Sequence, residues 1–220
     1  MKKAAWLSGG ILSAGLLVLG FAMPSSAAPS PVIPDLHPPV LAYPPAVGIL
    51  GPSRTCLACH PNNGPWKDDA HLVIDVLDQA TGKSLKQSDG SFLIVARRGE
   101  ARTVVTVIGT DGAADGPAPV RNAWLYIDPE RIKDVSSLSK FAPGWGVNLP
   151  MSCRLVGDSS PAYPSGKVTV LPMTVRPSDD ARDDVLELQV MLTRGESVKG
   201  KVQEGLIGSY FERKVRLKVE

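Results

Sequence analysis

The stretch Val185–Thr193, VLELQVMLT, places an aliphatic side chain at every second position. Successive side chains of a β-strand point to opposite faces, so this period predicts a strand with one apolar face. That face carries Leu186, Leu188, Val190 and Leu192. The last stretch, Tyr210–Val219, has the same period, and its apolar face carries Phe211, Val215, Leu217 and Val219. Both stretches are therefore predicted to be half-buried antiparallel strands.

Further short runs with strand character precede these two, separated by turn signals such as Thr81-Gly82 and Asp89-Gly90. Roughly seven to nine such strands are typical of an immunoglobulin-like antiparallel β-sandwich. Little helix is expected beyond one turn at Pro129–Lys133, because no amphipathic helix of useful length is present. The fold class is therefore predicted to be mainly β. The preceding runs are His71–Leu77, Phe92–Ala96, Thr103–Ile108, Ala123–Ile127, Met151–Val156 and Lys167–Arg176.

The segment Ser136–Pro150 reads as a loop, yet it carries Phe141 and Trp145. Loops normally lie on the protein surface, where two large aromatic side chains would be exposed to water. We expect the segment either to pack under itself or to form one wall of a ligand pocket.

The amino terminus has the pattern of a secretory signal peptide. Lys2 and Lys3 precede an apolar run from Ala4 to Met23, and the small residues PSSAA follow at 24–28. This order predicts cleavage after Ala27 or Ala28 and export to the periplasm or another extracytoplasmic compartment. The apolar run is also long enough to be retained as an anchor. After cleavage, no membrane span is expected.

Residues 29–52 are rich in proline, which fixes φ and removes backbone donors. An extended arm is therefore predicted, and its second half, from about Val40, is expected to cover an apolar ligand. The chain accordingly divides into a signal peptide (1–28), a proline-rich arm with a ligand-attachment segment (29–70) and a β-sandwich domain (71–220).

The charge balance excludes some classes of partner. The chain has 24 basic and 22 acidic residues, a net charge of +2. Loss of residues 1–28 removes two lysines and no acid, which leaves 22 against 22. A chain with no net charge has no overall electrostatic attraction for nucleic acid or a lipid surface, so neither is expected as a partner.

The attachment segment contains Cys56-Leu57-Ala58-Cys59-His60. In an exported chain, this C-x-x-C-H pattern indicates covalent haem attachment. Two thiols at i and i+3 can reach the two vinyl groups on one edge of a porphyrin, and the adjacent histidine can bind the iron.

Other interpretations of the motif are a disulfide, a zinc site and a thioredoxin-like redox pair. A structural zinc site needs four ligands, and the remaining cysteine and histidines have no paired spacing. A thioredoxin-like pair needs a helix after it, whereas PNNGP follows at 61–65. The disulfide between Cys56 and Cys59 is the simplest alternative.

The motif is that of c-type cytochromes, which the chain resembles in these five residues. A haem segment ahead of a β domain resembles the layout of cytochrome f, whereas small cytochromes c wrap their haem in helices. The resemblance implies one covalent haem c, held by Cys56, Cys59 and His60. In cytochrome f the second iron ligand is the terminal amine of a tyrosine. Here Tyr43 is internal to the predicted mature chain, so that ligation is not expected.

The sixth iron ligand is therefore expected to be another residue of the chain. His71 lies eleven residues after His60, and a loop of that length can reach the opposite haem face. Met151 is the second candidate, and His37 on the arm is the third. An open site that binds water is the remaining possibility. Met173 is expected in the core and Met191 on the surface.

These features predict an exported monohaem electron carrier, or an electron-transfer subunit of a larger redox complex, that cycles outer-sphere between Fe(III) and Fe(II). Its partners would be redox proteins rather than a substrate of its own, although whether it is an enzyme stays open. One alternative is an open-site haem enzyme or ligand sensor. The other is a β-sandwich binding or assembly module with a C-x-x-C disulfide.

Three further features have plainer interpretations. Cys153 is expected to be a small buried hydrophobic residue rather than a reactive thiol. The acidic stretch 179–184 matches no calcium-binding loop and is expected to be a solvated turn. The basic side chains of the last strand would protect a sheet edge from aggregation, or else dock an acidic redox partner. Those side chains are Arg213, Lys214, Arg216 and Lys218.

Overall fold

The computed structural model describes residues 55–58, 60–131, 140–148, 151–195 and 205–220. All of them belong to one compact unit, residues 41–220. The predicted signal peptide, the proline-rich residues 29–52 with His37, and Cys59 lie outside the described residues, so the predictions made for them stay predictions.

The described residues form ten strands in two sheets. The back sheet has the order β1-β3-β8-β5, with β7 also paired to β8. The front sheet has the order β2-β10-β9-β4-β6. The strands are β1 (Leu72–Asp78), β2 (Phe92–Ala96), β3 (Arg102–Thr110), β4 (Arg121–Ile127), β5 (Trp145–Val147), β6 (Met151–Leu155), β7 (Asp158–Ser160), β8 (Tyr163–Pro177), β9 (Asp184–Thr193) and β10 (Gly208–Val219).

The main core lies between the sheets and follows the predicted alternation. The four aliphatic residues of β9, together with Phe211, Val215 and Leu217 of β10, belong to it. Val104 and Ile108 of β3 and Met173 of β8 contribute from the back sheet. Trp124 of β4 is fully buried among them. The core position predicted for Met173 is thus confirmed.

The strand order is immunoglobulin-like. The series β1-β3-β8 corresponds to strands A, B and E, and β10-β9-β4-β6 corresponds to G, F, C and C′. Trp124 occupies the strand C position at which immunoglobulin domains bury a tryptophan. The prediction of a mainly β sandwich with little helix is confirmed.

One pairing departs from the antiparallel rule. β2 pairs parallel with the second half of β10, from Val215↔Phe92 to Val219↔Ala96. Along Val215–Val219, β10 therefore lies between β2 and β9. The interpretation of the basic side chains as edge protection is wrong for Arg216 and Lys218, whereas Arg213 and Lys214 precede this pairing.

Two strands were missed. β5 falls in the segment predicted to be a loop, where Trp145 is buried and donates from Nε1 to the carbonyl of Arg182 at 2.8 Å. That segment therefore closes the core with its aromatic side chain. β7 is only three residues long. The helical turn predicted at Pro129–Lys133 begins with a turn at residues 129–130, and its end lies outside the described residues. No helix in the described part of the chain is long and apolar enough to cross a bilayer.

Candidate functional site

The cysteine–histidine motif begins in a helical turn. A 3-10 helix covers Cys56–Ala58, and the amide of His60 donates to the carbonyl of Cys56 at 3.0 Å. This bond spans four residues, so the chain makes one closed turn between the first thiol and the imidazole. Cys59, the second predicted attachment residue, lies outside the described residues.

Cys56 rests on the outer face of the front sheet. It is buried in a second apolar cluster with Ala123, Leu125, Ile127 and Met191. In β4 these residues alternate with Trp124 and Tyr126, which face the main core. β4 is therefore apolar on both faces, as is typical of a strand covered on both sides.

A buried glutamine anchors the motif to this face. Gln189 of β9 is fully buried, and its Oε1 accepts a hydrogen bond from the amide of Cys56 at 3.1 Å. Its Nε2 donates to Oε1 of Glu187 at 2.6 Å. Leu125 is the ladder neighbour of Gln189, so the thiol lies over the middle of the sheet rather than at its rim.

His60 lies at the end of the sandwich where β10 begins. Burial lowers the pKa of His60, and hydrogen bonding to the backbone at Leu206 and Gly205 offsets part of this effect. The imidazole is therefore neutral near pH 7. Among the described residues, its buried Nδ1 has no hydrogen-bond partner. A neutral imidazole with an unpaired ring nitrogen is the form that binds a metal ion.

Residues 61–66, which we call the strap, tie the motif to β10. The amide of Gly64 donates to the carbonyl of Gly208 at 2.6 Å, and the amide of Tyr210 donates to Oδ1 of Asn62 at 2.9 Å. A Cβ added at Gly64 would lie 2.5 Å from the carbonyl carbon of Gly208, so only glycine allows this approach. Trp66 then packs against the main core and donates from Nε1 to the carbonyl of Pro117 at 3.1 Å.

His71 lies immediately before β1, in the other sheet but at the same end of the sandwich. Its Nδ1 is 3.1 Å from both carboxylate oxygens of Asp111, and its side chain is 48% exposed. The hydrogen bond and charge of Asp111, with Asp69 and Asp115 nearby, raise the pKa of His71. One ring nitrogen of the predicted sixth ligand is therefore already engaged by a carboxylate.

The structure brings three sulfur-bearing positions to the sheet beneath the motif. Met151, the second candidate for the sixth ligand, is the ladder partner of Leu125 in β6. Cys153 is the ladder partner of Ala123 and packs against the same cluster as Cys56. Met191 is fully buried in that cluster, so its predicted surface position is wrong. The apolar residues on both faces of β4 are the sequence signal that could have shown that the outer face of this sheet is covered.

Cys153 has the plain environment that its sequence context predicts. It carries a free thiol and is partly buried. Burial raises the pKa of Cys153, although a contact of 3.8 Å from Nη1 of Arg121 acts in the opposite direction. A thiol with a raised pKa is a poor nucleophile near neutral pH.

The acidic stretch 179–184 forms the turn between β8 and β9. Asp180 accepts a hydrogen bond from Ser178, Asp183 accepts one from the amide of Val219, and Asp184 accepts one from the amide of Val185. The carboxylates of Asp180 and Asp184 thus make local bonds, and that of Asp183 joins the turn to β10. Within the described residues, no group of three or more histidine, cysteine or acidic side chains is placed to hold a metal ion.

Two of the basic side chains of β10 form ion pairs. Arg213 pairs with Asp68 at 2.5 Å, next to the strap, and Arg216 lies 3.6 Å from Asp89. Lys214 is the ladder partner of Glu187. The outer face of the front sheet is therefore apolar beneath the motif and mixed in charge beyond it.

The residues present fit attachment of haem c. The motif forms a closed turn, its first thiol lies on an apolar surface, and its histidine is neutral with an unpaired ring nitrogen. A porphyrin requires apolar surface on its protein side and an uncharged imidazole for its iron.

Comparison with known proteins adds no family. No family model matches the chain, and no curated protein matches it. Among solved structures, the chain is similar to a cohesin module from a Clostridium perfringens family 33 glycoside hydrolase, with 13% identity and a TM-score of 0.33. That match covers 68% of this chain and 97% of the module.

Two further solved structures are similar at the same level. One is a family 123 glycoside hydrolase from Clostridium perfringens, with 11% identity, a TM-score of 0.30, and coverage of 69% of this chain and 27% of the hydrolase. The other is AvmM, which catalyses macrocyclization in alchivemycin A biosynthesis, with 10% identity and a TM-score of 0.31. That match covers 72% of this chain and 96% of AvmM.

Proposed function

We propose that this protein is an exported monohaem c-type cytochrome that acts as an electron carrier or as an electron-transfer subunit of a larger redox complex. The observation that supports the proposal is the closed turn from Cys56 to His60, whose first cysteine lies on an apolar sheet face. A disulfide pair requires neither the neutral, partly buried histidine nor the apolar surface.

Cys56 and Cys59 would hold the haem through thioethers, and His60 would supply a nitrogen ligand to its iron. When bound, the haem supplies one-electron exchange between Fe(III) and Fe(II). The protein's own contribution is to exclude water on the sheet side, through the cluster of Ala123, Leu125 and Met191, and to keep His60 neutral. Low polarity around a redox centre is one of the means by which a protein sets its potential.

His71 and Met151 remain our candidates for the sixth ligand. For His71 to bind iron, its bond to Asp111 must leave Nε2 as the ligating nitrogen, and a carboxylate on Nδ1 is the usual outer partner of a metal-bound imidazole. His37 stays the third candidate, and Met191, buried beside Cys56, is added as a fourth.

An open-site haem protein is the second candidate function. The observation in its favour is that His71 already lies in an exposed ion pair with Asp111. If the ion pair holds His71 away from the iron, water fills the sixth position and small ligands can bind there.

The test is expression with haem-maturation machinery, followed by visible and near-infrared spectra of the oxidised and reduced protein. Single variants His71→Ala, Met151→Ala and Met191→Ala are recorded beside wild type. An electron carrier with two protein ligands predicts that one variant alone changes the charge-transfer bands. A wild-type protein that binds carbon monoxide or cyanide at once, with no change in any variant, would support the open-site function instead.

A further inference from the structure

We propose that Gln189 is a positioning residue for haem attachment, which holds Cys56 at the geometry that thioether formation requires. The inference rests on the proposed function. It starts from the fact that Gln189 is a polar side chain at 0% exposure, on a strand face that would otherwise be apolar beneath the motif.

A buried amide is costly unless its donors and acceptor are satisfied. Gln189 meets this condition through two partners on opposite sides. Its oxygen accepts from the amide of Cys56 at 3.1 Å, and its nitrogen donates to Glu187 at 2.6 Å. Because one partner is a donor and the other a carboxylate, the orientation of the amide is fixed by its neighbours.

The bond acts on the first residue of the motif. Cys56 opens the 3-10 turn, so its amide has no acceptor within that turn. Gln189 supplies the acceptor from a central strand of a five-stranded sheet. The backbone of Cys56 is therefore held by a rigid element of the fold.

Haem attachment depends on how the thiol of Cys56 is positioned relative to a vinyl group. Each thiol adds across a vinyl group: the S–C bond forms, the S–H hydrogen passes to the other vinyl carbon, and no electrons are lost. His60 follows Cys59 directly in the sequence, whereas Cys56 lies four residues before it. The hydrogen bond to Gln189 acts on Cys56, so loss of Gln189 is expected to affect Cys56 more than Cys59.

The matching variants are Gln189→Leu, which removes both bonds, and the double variant Glu187→Gln with Gln189→Glu. The double variant retains an acceptor for the Cys56 amide and exchanges donor and acceptor between positions 187 and 189. A control is Asn122→Leu, which removes a buried amide of the adjacent strand that bonds the carbonyl of Ile108 inside the main core.

The readout in matured protein is alkylation of free thiols with iodoacetamide, counted by peptide mass. Wild type is expected to show one alkylated position, Cys153. Gln189→Leu is expected to show Cys56 as well, in about half of the molecules or more, with the reduced α-band shifted to the red by the unreacted vinyl. The double variant should return to the wild-type pattern, and Asn122→Leu should keep it. Equal labelling of Cys56 and Cys59 in Gln189→Leu, or no labelling of either, would overturn the inference.

A second readout does not involve haem. In protein produced without maturation machinery, the amide of Cys56 should exchange with solvent about tenfold faster in Gln189→Leu than in wild type, since one hydrogen bond is lost. An unchanged exchange rate contradicts the positioning role whether or not haem binds. If wild-type protein never acquires haem while the exchange rates differ as expected, the proposed function fails and the anchoring by Gln189 stands.

Discussion

Replacement of Trp66 tests whether the motif segment is part of the folded domain or an appendage. Trp66→Ala removes a partly buried indole from the main core and a hydrogen bond to the carbonyl of Pro117. Truncation of a fully buried tryptophan costs about 3–5 kcal/mol, and a half-buried ring about half of that. The exposed hydrogen bond adds about 0.5 kcal/mol. We therefore expect a loss of about 2–3 kcal/mol in the free energy of unfolding.

The assay is urea denaturation at constant pH, with the slope of the transition compared between variants. Trp66→Phe keeps most of the apolar contact and loses only the donor, so it should cost about 0.5–1 kcal/mol. Val185→Ala is the control, since this exposed residue of β9 should change stability by about 0.5 kcal/mol or less. A Trp66→Ala protein as stable as the control would contradict the docking of the strap on the sandwich.

Three further predictions follow from individual contacts. Tyr126→Phe removes the 2.6 Å hydrogen bond with Thr106 that links the two sheets, and should cost about 1–2 kcal/mol in urea denaturation; a cost near zero would contradict a cross-sheet role. The pKa of His71 is raised above its unfolded value of 6.5, so its pairing with Asp111 stabilises the fold fully below pH 6.5. This stabilisation is lost as the pH rises through the folded pKa. His71→Asn should therefore lower the urea midpoint at acidic pH and leave it unchanged at alkaline pH. The pKa of His60 is lowered in haem-free protein, so the pH dependence of its contribution to stability has the opposite sign. The free energy of unfolding should fall as the pH drops from 6.5 through the folded pKa. In urea denaturation, His60→Asn should lose less stability over this pH range than wild type.

The fold was largely predictable because period-two alternation in the last two strands is strong. Leu186, Leu188 and Val190 face the main core as predicted. The parallel pairing of β2 with β10 was not predictable, because alternation specifies which face of a strand is buried but not its neighbour or direction. β5 was missed since three residues are too few to show a period.

Of the site, the sequence identifies only the attachment motif, and its covalent chemistry stays a prediction. The spacing of Cys56, Cys59 and His60 identifies the motif without any structure. The surface beneath it comes from strands far away in sequence: Gln189 and Met191 look solvent-facing in a half-buried strand, and they are buried because the motif covers them. The pairing of His71 with Asp111 likewise spans 40 residues, which no local pattern encodes.

Retention of haem after denaturation tests the central claim most directly. The protein is expressed with maturation machinery, extracted with acidified acetone, and measured as denatured polypeptide by absorbance and intact mass. A covalent haem c predicts that colour stays with the polypeptide and that its mass exceeds the mature chain by one haem, while Cys56→Ala with Cys59→Ala loses both. A colourless wild-type polypeptide at its bare mass would contradict the account.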